Sequence, residues 1–281
     1  MSDRFELRGI VAPTLMLLVM AGCGGGDGGS GGGGGGGGDD VENPVDAATA
    51  GNIAGSVVFE GDAPSMAVID MSDESVCEAK HSSPAMVQDV VVNSNGTLAN
   101  VFVYVKEGLE SLEFPTPGPV VLDQDGCVYV PHVLGVMAGQ GITFRNSDGL
   151  LHNIGASPTV NRPFNIGQPV SMEVTREFAT AEVMVPVQCD AHSWMNAYIG
   201  VLDHPFHSVS NSSGAFSLST LPPGQYVIEA WHETYGTQTQ TVTVTTGGTA
   251  EVTFTFSASS AQNAVVPLGA PVDLHMIAEA S

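Results

Sequence analysis

Short runs rich in Val, Thr and aromatic residues alternate along the chain with clusters of Gly, Pro, Asn and Asp, and helical periodicity is nearly absent. This pattern predicts strands at 55–60, 87–92, 100–106, 119–123, 141–146, 170–178, 182–188, 197–203, 215–219, 225–232, 239–245 and 250–256. Strands this closely spaced, with turn signals between them, point to an all-β chain built from sandwiches. The run Val101, Phe102, Val103, Tyr104, Val105 shows no polar alternation. It is therefore expected to be a central strand buried on both faces.

Two terminal stretches lie outside this pattern. Arg4 and Arg8 precede an apolar run from Ile10 to Met20 that is too short to span a bilayer comfortably, so residues 1–22 read as an export signal. The following Ala21, Gly22 and Cys23 resemble a bacterial lipoprotein processing site. That resemblance implies lipidation of Cys23, and hence an extracytoplasmic chain anchored by lipid to the periplasmic or cell-surface face of a membrane. An ordinary signal peptide is the alternative. Residues 23–50 include eight consecutive glycines, Gly31 to Gly38, and nothing there can bury enough surface to offset chain entropy. They are expected to form a flexible tether with a typical reach of about 30 Å. A phosphate-binding loop is excluded because the run lacks the Gly-Lys-Ser/Thr ending. Residues 259–281 are read as a C-terminal tail.

Charge narrows the choice of partners. Thirty Asp and Glu face seven Lys and Arg, for a formal net charge of −23. Such a surface repels nucleic acid and anionic headgroups, leaves the lipid as the only link to a membrane, and favours a partner with a basic docking face. Adaptation to a salty habitat would produce the same imbalance.

The chemistry is concentrated in one segment. Cys189, His192 and Met195 fall within seven residues, between two predicted strands, and His152 lies upstream in another loop. Two imidazoles, one thiolate and a weak thioether form the ligand set of a blue (type 1) copper site. Alone, each has an ordinary role: a polar loop group, a buried thiol, a core filler. Zinc is disfavoured because a structural site takes four strong ligands rather than a thioether. The segment before Cys189 has no second Cys, as a binuclear copper A centre would need. Gln188 and Asp190 flank Cys189 where a nitrite-reductase-type relay would need His. No Ser sits in a nucleophile-elbow context, so no catalytic residues are assigned. Cys77 and Cys127 remain. Export permits a disulfide between them. A second metal site with His81 and His132, or two free thiols, are the other outcomes.

Residues 119–205, with Cys-x2-His-x2-Met at Cys189, His192 and Met195 and with His152, Asn153 and Ile154 upstream, resemble a cupredoxin of the plastocyanin and amicyanin group. The resemblance implies a Greek-key sandwich binding one type 1 copper through His152, Cys189, His192 and Met195. It also implies an Asn153 that braces the ligand loop and a His192 edge exposed for electron exit. The second resemblance lies after the copper segment. The turn Leu221, Pro222, Pro223, Gly224, Gln225, Tyr226 and the strands around it are similar to the second half of a carboxypeptidase-regulatory-like domain, a transthyretin-like sandwich. Its first half matches loosely at 53–58 and 98–103.

The expected organisation is therefore a discontinuous sandwich, 51–116 plus 206–258, with the copper domain 119–205 inserted. Tandem domains divided near Phe206 are the alternative. The implied function is single-electron transfer between extracytoplasmic redox proteins, without catalysis. A c-type cytochrome or a periplasmic dehydrogenase is the partner class suggested by analogy. Copper storage, delivery or sensing, and a scaffold without redox function, are the competing readings.

Overall fold

The computed structural model describes residues 41–263. Expectations for the export signal, Cys23, most of the tether and the end of the tail therefore lie outside the described residues. Among the described residues sixteen strands make four sheets, accompanied by one single-turn α-helix and a 3-10 helix at Ala258–Asn263. The chain opens with β1 (Gly51–Glu60), α1 (Ser75–Glu78) and β2 (Phe102–Glu107). A middle group follows: β3 (Val120–Gln124), β4 (Tyr129–Val130), β5 (Val133–Met137), β6 (Ile142–Asn146), β7 (His152–Ala156), β8 (Phe164–Gln168), β9 (Met172–Arg176), β10 (Glu182–Gln188) and β11 (Asn196–Leu202). It closes with β12 (His207–Val209), β13 (Ala215–Leu221), β14 (Gly224–His232), β15 (Gly236–Val244) and β16 (Thr249–Ser257).

The end groups pair with each other, not with the middle. Sheets in the orders β13-β1-β16 and β12-β2-β14-β15 form a terminal sandwich, whose core includes Ile53, Val57, Leu98, Val103, Leu218, Ile228, Phe254 and Phe256. Sheets in the orders β5-β11-β10-β7-β8 and β4-β3-β6-β9 form a middle sandwich around Leu122, Phe144, Ile154, Val185, Val187, Ile199 and Val201. The fold is all-β, as the alternation predicts.

Strand β2 explains its own unbroken hydrophobicity. Val101, Val103 and Val105 point into the terminal core, while Phe102 and Tyr104 pack with Val133 and Leu202 of the middle sandwich. A strand enclosed on both faces has no position for a polar residue. Close approach at this seam requires glycine: a Cβ on Gly200 would stand 2.5 Å from Phe102 ring carbons, and one on Gly135 would stand 2.2 Å from His207 Nδ1.

The strand expected at 87–92 is absent, and one isolated bridge, Val92–Leu98, touches that stretch. Its valines serve as a connector between cores: Val87 packs on the middle core, Val90 and Val92 on the terminal one. Conversely, β7 and β8 contain Asn and Gly and escape the propensity pattern. They become strands by pairing antiparallel, His152 opposite Gln168 through Ala156 opposite Phe164.

Candidate metal centre

Strand β10 delivers Cys189 to one pole of the middle sandwich, and β11 takes the chain away from it. The intervening loop closes on itself, with Met195 N–H donating to His192 O (2.9 Å) and Cys189 N–H to Met195 O (3.1 Å). All four predicted ligands are buried: His152 and Cys189 at 0 % exposure, Met195 at 1 % and His192 at 5 %.

His152, at the start of β7, is brought from another loop to the same pole. Its Nδ1 stands 2.9 Å from His192 Nδ1, and Cys189 Sγ is 3.8 Å from that same His192 nitrogen. One donor atom from each of His152, Cys189 and His192 lies within 4.8 Å of the others. Two Nδ1 nitrogens and a cysteine sulfur converging in a buried space suit a soft transition metal, and Met195 is buried in the same loop.

The loops carrying these residues are tied together. Asn153 Oδ1 accepts from Asp190 N–H (2.6 Å), and Asn153 Nδ2 donates to Asp190 Oδ2 (3.0 Å), which also accepts from Asn165 (2.6 Å). The first ligand loop is thereby locked to the second. Tyr129 adds a hydroxyl donated to Asn153 O at 2.6 Å.

Asp148 governs the back of His152. Asn146 Oδ1 accepts from the N–H groups of Asp148 and Gly149, forming the turn that aims the carboxylate inward. Asp148 then accepts from His152 Nε2 (2.9 Å), Lys80 Nζ (3.0 Å), Gly126 N–H (2.7 Å) and Cys127 N–H (2.8 Å). With Nε2 committed to Asp148, Nδ1 is the nitrogen left facing the cluster.

Burial would raise the Asp148 carboxyl, but hydrogen bonds from His152 and Lys80 and from the two backbone N–H groups outweigh it and hold the group at about 2. Burial opposes a charge on His152, yet Asp148 and the Cys189 thiolate raise it to about 9. Cys189 is itself lowered against the effect of burial, by His152 and by backbone N–H groups of Asn153, His192 and Ala191. Burial and the charge of His152 together lower His192. In the metal-free pole Cys189 is thus lowered and His152 raised, each favouring the charge of the other.

Cys77 and Cys127 form a disulfide, and among the described residues Cys189 is the free cysteine. The alternative metal set with His81 and His132 is not assembled. His81 Nε2 donates to Gly126 O (2.7 Å), and His132 pairs with Glu233 of the terminal sandwich. Two residues that hold the site, Asp148 and Lys80, carried no sequence assignment. An Asp four positions before His152 was the available signal for the first; nothing local marks Lys80.

His192 is expected to be the more exposed imidazole edge, and it is, at 5 % against 0 % for His152, but it is nearly buried rather than open to solvent. Cys77 Sγ lies 3.9 Å from His192 Nε2, and the segment bearing it covers the ring. The groove of about 420 Å³ lined by Tyr104, Lys106, Glu182 and His204 contains none of the four ligand candidates.

Residues 195–257 match the profile of the carboxypeptidase regulatory-like domain. No curated protein sequence matches the chain. Among solved structures, similarity is found to a Cu-containing nitrite reductase from Thermus scotoductus SA-01, at 22% identity and TM-score 0.29, covering 36% of this chain and 25% of that one. The chain thus spans a quarter of that enzyme. An amicyanin variant in its Cu(I) form is similar at 19% identity and TM-score 0.28, covering 30% of this chain and 81% of the other. A purple cupredoxin from Nitrosopumilus maritimus is similar at 22% identity and TM-score 0.23, covering 26% and 81%.

Proposed function

We propose that this chain is an exported blue-copper protein that carries single electrons between extracytoplasmic redox partners. The observation that carries the reading is the buried convergence of His152 Nδ1, His192 Nδ1 and Cys189 Sγ, with Met195 in the same closed loop. His152, Cys189, His192 and Met195 would hold one copper ion, and the metal would supply a reversible one-electron couple. The protein's part is to keep that ligand set from rearranging. Asn153 ties the two ligand loops, Asp148 fixes the His152 ring, and the β-sheet ends of β7 and β10 anchor both.

Electron transfer without catalysis belongs to this proposal, as do lipidation at Cys23 and an extracytoplasmic location. The net charge of −23 supports a redox partner with a basic docking face, such as a c-type cytochrome or a periplasmic dehydrogenase.

Burial of His192 favours a second reading, copper retention or delivery, because a covered ligand edge exchanges electrons poorly with a docked partner. A carrier holds both oxidation states with a reversible potential; a delivery protein yields Cu(I) to a chelator. The deciding experiment is Cu(II) titration of the protein and of Cys189→Ala, read by visible absorption and EPR. The expected result is an intense thiolate-to-copper band with narrow hyperfine splitting that the variant lacks. Copper binding that ignores the substitution would overturn both copper readings at this site.

A further inference from the structure

Between β1 and β2 the chain leaves the terminal sandwich and crosses to the other one. Residues 67–69 run antiparallel to 85–87, with Ile69 N–H donating to Ala85 O (2.8 Å) and Val87 N–H to Ala67 O (2.9 Å). Helix α1 sits at the far end, and Ile69, Met71 and Cys77 join the core of the middle sandwich. This strap lies over the metal pole. Its Cys77 sulfur is 3.9 Å from His192 Nε2, the ring nitrogen turned away from the cluster. We propose that the strap is a disulfide-latched cover, so that access of partners and chelators to His192 depends on the oxidation state of Cys77 and Cys127.

Besides the disulfide, the strap is held by the packing of Ile69 and Met71 on the middle core, by one ion pair and by one hydrogen bond. Lys80 reaches Asp148, but its side chain is 28 % exposed, so water weakens that attraction. His81 contributes one hydrogen bond, to Gly126 O. Within the strap, the two arms meet through a single isolated bridge, Val68–Met86, and α1 is one turn long. With two apolar anchors and so little backbone pairing, the segment opens locally at lower cost than the sheets beneath it unless it is tied covalently. The tie ends at Cys127, whose N–H donates to Asp148 and whose carbonyl accepts from Trp194 Nε1 (3.0 Å). Trp194 is in van der Waals range of His192, ring centres 5.1 Å apart. The bond therefore ties the strap to the turn between β3 and β4, which the Trp194 hydrogen bond joins to the ligand loop.

Opening is a two-electron reduction by a dithiol. One thiolate attacks a disulfide sulfur, the second displaces the mixed disulfide, and the dithiol leaves oxidised while Cys77 and Cys127 take up two protons as thiols.

This inference deepens the copper reading and rests on it for its physiological meaning, but its test is separable. In the metal-free full chain, carbethoxylation of His192 by diethyl pyrocarbonate is followed by peptide mass analysis. The rate is expected to be about tenfold or more higher in C77S/C127S, and in wild type reduced by dithiothreitol, than in the oxidised protein. His81→Ala removes the strap's hydrogen bond to Gly126 O, keeps the disulfide and is expected to stay near the oxidised rate. In the Cu(I)-loaded forms, capture by bathocuproine disulfonate should accelerate in C77S/C127S in the same order. Equal rates in oxidised and reduced protein would overturn the latch, as would a His81→Ala rate matching C77S/C127S. A protein whose His192 becomes accessible on reduction but which shows no thiolate-to-copper band keeps its cover and loses its copper function.

Discussion

Asp148 carries more of the site than any residue except the ligands. Four donors converge on its buried carboxylate, two from backbone and one each from His152 and Lys80. Asp148→Ala strands all of them, so metal-free protein should lose about 3–5 kcal/mol in urea unfolding. Copper affinity should fall about 10–100-fold by competition titration, because the His152 ring loses its orientation. Glu182 plays the analogous part for the loop between β7 and β8, accepting from the N–H and hydroxyl of Thr159 and from the N–H and side chain of Asn161. Burial would raise its carboxyl, but these donors hold it at about 2, below the ordinary 4.5. A depressed carboxyl stabilises the fold above its unfolded value, and that contribution is lost as pH falls from 4.5 through about 2. Glu182→Gln should therefore cost about 1–3 kcal/mol at neutral pH. The gap from wild type should close across that acid window in a pH series of denaturant titrations; a pH-independent gap would contradict the assignment.

At the scale of elements, the seam between the sandwiches depends on one strand against two glycines. Phe102 of β2 enters space that exists because Gly135 of β5 and Gly200 of β11 have no side chain. Gly200→Ala should destabilise by about 1–3 kcal/mol through overpacking. Thermal unfolding followed at Trp231, which packs at this seam, would report it. Strand β11 divides its duties by period: Ala197, Ile199 and Val201 face the middle core, while Leu202 faces the seam. The ligand loop is thus mounted on a strand held from both sides, and the metal pole inherits that rigidity.

For the whole molecule, the disulfide joins residues 50 apart and ties the strap between β1 and β2 to the middle sandwich. Its removal should cost about 3–4 kcal/mol by chain entropy, measurable as a lowered urea midpoint of C77S/C127S. The net charge of −23 acts over the same scale. Association with a cationic redox partner should slow steeply as ionic strength rises, whereas a neutral probe should be insensitive to salt. Stopped-flow rates at several salt concentrations separate the two.

Local sequence determined the all-β class, the course of β10 and β11, and the seven-residue span from Cys189 to Met195. In each case the relevant neighbours are close along the chain, where periodicity and spacing act directly. It also marked β2 as buried on both faces, since a doubly packed strand has no polar alternation. Tertiary structure alone decided that Val87 to Val92 becomes a connector, because a strand needs a partner that no local pattern names. The same holds for β7 and β8, whose Asn and Gly pair only when the chain brings them together. Lys80 meets the segment of Asp148 and His152 from a distant part of the chain, and Cys77 finds Cys127 over a long loop. The covering of His192 follows from that path, as the strap returns to a core other than that of the strands flanking it.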